Sequence, residues 1–169
     1  DPDGTATTNE QGQAIFTATT TVAATYTLKA QVSQTNGQVS TKTAESKFVA
    51  DDKNAELTAS SDVQSLVADG KSTAKLEVTL FSANNPVGGN VWVDIEAPEG
   101  VTEKDYQFLP SKNDHFVSGK ITRTFSTSKP GVYTFTFNAL TYGGYEMKPV
   151  TVTITAVDAD TAKGEEAMK

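Results

Sequence analysis

Sliding the chain along itself by 107 positions brings two distant segments into register, and this internal repeat limits the fold more than any other feature of the sequence. GQAIFTATTTVAATYTLKA, from Gly12, falls on GKITRTFSTSKPGVYTFTF, from Gly119. Gly12 meets Gly119, Thr17 meets Thr124 and Tyr26 meets Tyr133. The alternating set Tyr26, Leu28 and Ala30 lands on Tyr133, Phe135 and Phe137, so the buried face of a strand is repeated and not only its composition. Asn36-Gly37 falls on Gly143-Gly144, and both dipeptides tolerate the positive φ of a tight hairpin turn. On the same register Phe48 to Asp51 falls on Thr155 to Asp158, so each copy ends in a strand running into acidic residues.

A period of this length is that of one immunoglobulin-type sandwich. The expected organisation is therefore residues 1–51 as the C-terminal half of one domain, 52–158 as a complete domain, and 159–169 as a linker or the start of a third. Within the complete domain, Ala74, Leu76, Val78 and Leu80 alternate with Lys75, Glu77 and Thr79, the pattern of a half-buried strand that stops at Asn84-Asn85-Pro86. Val91, Val93 and Ile95 supply a second buried face. Ile121 with Phe125, then Tyr133 to Phe137, then Val150, Val152 and Ile154 supply three more. Segments around Leu57 and from Val63 to Val67 bring the total to about seven strands, as such a sandwich needs. The first 51 residues are expected to give at most three, over 14–18, 26–32 and 40–49. The fold class is all-β: tandem immunoglobulin-like β-sandwich domains, one complete and one partial.

Charge and composition exclude several function classes. The formal charge is −7, and the 14 basic residues are scattered rather than gathered into a stripe, so a phosphate backbone meets no attractive surface and nucleic acid is not an expected partner. No apolar run reaches the roughly 20 residues a membrane-spanning helix requires, so no direct insertion into a membrane is expected of this segment. With no Cys there is neither a disulfide scaffold nor a thiolate metal site.

The stretches VADGKSTAKLEVTL (Val67 to Leu80), NNPVGGNVWVDI (Asn84 to Ile95) and SGKITRTFSTSKPGVYTFTF (Ser118 to Phe137) resemble the bacterial immunoglobulin-like repeats of the intimin and invasin family. TTNEQGQAIFTATTTVAATYTLKAQV, from Thr7 to Val32, shows the same closing pattern. The resemblance implies repeats stacked into a rod that projects from the outer membrane of Gram-negative bacteria, anchored by a β-barrel and ending in a domain that touches a host cell. Two departures matter. Ala23-Ala24 stands where the half domain would carry a turn glycine, and the lectin-like tip with its Cys pair is absent.

Candidate chemistry is sparse. His115 is the sole histidine, in the polar segment SKNDHF, so neither a His pair for a metal nor a Ser/His/Asp triad is expected. Glu96 and Glu99 are close in sequence but read as solvated carboxylates. Asp51-Asp52, Asp158-Ala159-Asp160 and Glu165-Glu166 could offer oxygen ligands to Ca²⁺ at domain junctions, but they lack a Gly-bearing twelve-residue loop, so no metal and no cofactor is expected. Three aromatics are binding candidates. Trp92, between Val91 and Val93, faces outward if those two face inward; Tyr142 and Tyr145 flank a hairpin tip, where rigid sandwiches often carry binding. The expected function is a non-catalytic structural and adhesive module of an extracellular bacterial adhesin, with neighbouring domains and a host-cell receptor or matrix component as partners. The alternative is a carbohydrate-binding module of a secreted enzyme, which would use the same aromatics as a sugar platform.

Overall fold

The computed structural model describes residues 4–160, which fall into two compact units divided between Val49 and Ala50. In the first unit, Ala24–Ser33 (β1) and Val39–Phe48 (β2) pair antiparallel. The turn between them closes through Gln34 N donating to Gln38 O at 2.8 Å and Gly37 N donating to Gln34 O at 2.9 Å, with Gly37 at φ 85°. Tyr26, Leu28, Ala30 and Val32 share one face of this hairpin with Ala44 and Phe48, and the other face is polar. No second sheet covers the apolar face among the described residues of this unit. The strand expected over 14–18 does not form either: the segment pairs with no strand and leaves Ile15 and Phe16 exposed.

The second unit is a two-layer sandwich. After a short 3₁₀ turn at Asp52–Asn54 come Glu56–Ser61 (β3), Ser65–Val67 (β4), Ala74–Ser82 (β5), Asn85–Pro86 (β6), Gly89–Glu96 (β7), Tyr106–Leu109 (β8), Asn113–His115 (β9), Lys120–Thr127 (β10), Gly131–Thr141 (β11) and Val150–Val157 (β12). One sheet runs β3-β5-β10-β8, with β6 attached to β5; the other runs β4-β12-β11-β7-β9, with β4 parallel to β12. The β5–β6 turn places Ala83 and Asn84 at φ 47° and 67°, the left-handed pair that a two-residue hairpin favours.

Alternation on the central strands closes the core. Leu76, Val78, Val93, Phe135, Phe137, Val152 and Ile154 are all buried, as their spacing predicts. Phe125 contacts Phe135 edge-on with centroids 4.8 Å apart, and Phe108 stacks on Phe135 at 5.6 Å, so the aromatic residues join the two sheets. The short strands β6, β8 and β9 add to the seven expected. The segment SKNDHF, whose polarity reads as a surface loop, instead places His115 on edge strand β9.

The repeat is structural as well as sequential. Tyr133 Oη donates to Lys129 O at 2.8 Å and meets Thr127 Oγ1 at 2.7 Å; Tyr26 Oη donates to Val22 O at 2.9 Å and meets Thr20 Oγ1 at 3.0 Å. Lys129 N and Val22 N both donate to the corresponding Thr hydroxyl at 3.1 Å. The turns match too, since Gly144 N donates to Thr141 O at 2.9 Å, and Gly12 and Gly119 adopt φ 77° and 75°.

One element of the expected register is displaced. Tyr26 pairs with Ser46 whereas Tyr133 pairs with Ile154, so past the turn the offset becomes 108 and Phe48 corresponds to Ala156, not Thr155. The extra residue lies at Lys148-Pro149. Met147 N bonds Ala139 O on one side, Val150 pairs with Phe137 on the other, and the two residues between them bulge opposite Asn138. Ala24 stands where the second unit has Gly131, whose φ is 134° and whose added Cβ would lie 2.4 Å from Pro98. Ala24 does not share that positive φ, and the first unit has no counterpart of Pro98 among its described residues, so a Cβ is tolerated there.

Candidate binding face

β7 lies between β11 and β9, with Val91 and Val93 directed into the core. The intervening residues therefore form the outer face of the sheet. Trp92 sits in one row with Asn138 on β11 and Asn113 on β9. The next row holds Leu140, Asn90 and His115. Beyond it, Tyr142 N donates to Gly88 O at 3.1 Å, which continues the pairing by one more row. Tyr142 thus shares a face with Trp92, about 13 Å away along the strand, with Asn90 between them. Trp92 on β7 and Tyr142 just past the end of β11 belong to different strands, and the pairing of those strands brings both onto one face of the sheet.

Gly88 sets the position of Tyr142. A Cβ there would lie 2.8 Å from Cδ2 and 2.9 Å from Cε2 of the Tyr142 ring, so the ring rests directly on the glycine backbone. It remains 66% exposed. Trp92 is half-buried in its row. Asn138 Nδ2 donates to Asp94 Oδ2 at 3.1 Å, which fixes the amide next to the indole. Tyr145 is not part of this face: its N donates to Thr141 Oγ1 at 3.0 Å and its O accepts from Thr141 N at 2.9 Å, placing it with the inward-directed Thr141 across the turn.

Edge strand β9 is held by a group the sequence does not advertise. Arg123 projects inward from β10 and is 4% exposed. Its Nη2 donates to Asp114 Oδ2 at 2.6 Å, its Nε to Ser111 O at 2.7 Å and its Nη1 to Thr122 O at 2.8 Å. The guanidinium therefore ties one sheet to the edge of the other, with each of its three nitrogens donating a hydrogen bond. The Arg123 hydrogen bond, followed by that from His115 N, holds the Asp114 carboxyl below the usual aspartate range. Burial instead raises the Tyr133 phenol.

The acidic positions are engaged locally. Asp52 packs its carboxylate against Gly143, where a Cβ would lie 2.0 Å from Oδ2. Asp51 Oδ2 accepts from Asn54 Nδ2 at 2.7 Å, and Asp158 Oδ1 accepts from Asp160 N at 2.9 Å. Among the described residues no three His, Cys, Asp or Glu side chains converge as a metal group would require. Glu165 and Glu166, and the expected linker beyond Asp160, lie outside the described residues.

No protein-family model matches the chain, and no curated protein matches it. Among solved structures, the D00-D0 domain of intimin is similar at 17% identity and a TM-score of 0.49, over 89% of this chain and 69% of that one. A glycosyl hydrolase family 2 member from Bacteroides cellulosilyticus is similar at 17% identity and a TM-score of 0.47, over 78% of this chain and 17% of that one. A C-terminal fragment of intimin in complex with the intimin-binding domain of the translocated intimin receptor gives 14% identity and a TM-score of 0.43, over 60% and 33%. The architecture itself is read from this chain's own sheets: it is an all-β chain whose second unit is an immunoglobulin-like sandwich.

Proposed function

We propose that this chain is a non-catalytic structural and adhesive segment of a bacterial surface rod, the extracellular part of an outer-membrane protein that engages a host-cell receptor or matrix component. The observation that carries the reading is the duplicated tyrosine corner. The same three-residue hydrogen-bond pattern, with the same two turn glycines, recurs 107 residues apart, as it would in a linear array of one module. Such an array extends by repetition, and its modules need no chemistry beyond packing. Antibodies raised against the chain, applied to intact cells of the source bacterium, test the location. Labelling without permeabilisation, lost after brief external protease treatment, is expected; labelling only after lysis contradicts the proposal.

A further inference from the structure

The outer strip formed by Trp92, Asn90 and Tyr142 has a composition and a rigidity that a rod segment does not require. We propose that it is a binding site for a neutral oligosaccharide. Aromatic rings accept the C–H face of a pyranose through dispersion, and an amide beside them offers both a donor and an acceptor to neighbouring hydroxyls. Here two aromatics bracket Asn90, while Asn113 and Asn138 flank Trp92 in its row. The support is stiff: β7 and β11 are central strands whose other faces are the core, and Tyr142 is seated on the Gly88 backbone.

Charge selects the ligand class. β7, β9 and β11 contain no Lys or Arg; the basic residues adjoining the strip are His115, in the Asn90 row, and Lys148, at the bulge opposite Asn138, so a sulfated or carboxylated glycan meets no cluster of cations here. Asp94 on the same face already accepts from Asn138, which reduces its pull on a cationic partner. A hydroxyl-rich, uncharged chain spanning the rows from Trp92 to Tyr142 is the ligand this surface suits. The inference does not depend on where the protein resides, so it stands or falls separately from the rod proposal.

Trp92 is the single tryptophan of the chain, and its emission reports on the site directly. The test titrates the full chain with soluble neutral glucan, mannan, galactan, xylan and chitin oligosaccharides, with a sulfated oligosaccharide as contrast. A saturable emission change with at least one neutral probe is expected, insensitive to added salt because no ion pair forms. Tyr142→Ala and Asn90→Ala should each weaken it at least tenfold with the melting temperature unchanged. Gly88→Ala, which keeps every polar group and only lifts the ring, should weaken it severalfold. Absence of a response to every neutral probe, binding confined to the sulfated probe or abolished by salt, or equal binding by the Tyr142→Ala and Asn90→Ala variants would overturn the proposal.

Discussion

Tyr26 and Tyr133 make the same hydrogen bonds in the two units, yet Tyr133 is wholly buried and Tyr26 only half so. The corner, the turn at Gly37 or Gly144 and the antiparallel pairing are local, and both units have them. Burial is not local. It requires the sheet β3-β5-β10-β8, which the second unit possesses and which has no equivalent among the described residues of the first. The comparison separates two contributions to a sandwich: turn and corner chemistry fix the register, and only the opposing sheet removes the apolar face from water.

The largest expected contrast is at equivalent strand positions. Phe135→Ala empties a site that is 0% exposed and should cost about 3 to 5 kcal/mol by urea unfolding of the second unit. Leu28→Ala, at a residue 44% exposed, should change stability by less than about 0.5 kcal/mol. Comparable losses would mean that the hairpin face is covered after all.

Next comes the ion pair, which has no equivalent among the described residues of the first unit: the sequence register sets Phe16 against Arg123, but Phe16 lies outside any strand and is exposed. Asp114→Ala leaves Arg123 buried without its carboxylate and should destabilise by about 2 kcal/mol, less than for a fully buried pair because Asp114 is 33% exposed. The same pair sets a pH dependence. The folded-state pKa of Asp114 is depressed, so its stabilisation is present above the unfolded aspartate value of about 3.9 and disappears as pH falls through the lower folded value. Stability measured from pH 6 downward should therefore fall less steeply in Asp114→Asn than in the parent.

The smallest contrast is in the corner itself. Tyr133→Phe strips a buried hydrogen bond from Thr127 and Lys129 O and should cost about 1 to 2 kcal/mol, while Tyr26→Phe, beside water, should cost about 0.5 kcal/mol or less. Equal effects in thermal unfolding would show that the two corners are equally desolvated.

Much of the second unit is legible in the sequence, because Leu76, Val78, Phe135 and Ile154 sit in strict alternation and Gly143-Gly144 marks a turn, as Asn36-Gly37 does in the first unit. The bulge at Lys148-Pro149 is not, since one added residue shifts register without changing composition. Nor are β8 and β9, too short to show a period. Arg123 reads as an ordinary surface cation until the fold brings Asp114 across from the other sheet. The candidate face was half legible: the outward direction of Trp92 follows from Val91 and Val93, but its company with Tyr142 depends on the β7–β11 pairing, which no local pattern encodes. The strand expected over 14–18 failed for a related reason. Its counterpart β10 is held by β5 and β8 on its two edges, and alternation alone cannot supply those neighbours.

Residue-resolved amide hydrogen exchange of the intact chain tests most directly the claim that one register is built twice and closed over once. Amides of Phe135 to Ala139 and Val152 to Ala156 should exchange only through global unfolding of the sandwich, and those of Leu28 to Val32 and Ala44 to Phe48 orders of magnitude faster, through local opening. Equal protection of the two hairpins would contradict the account.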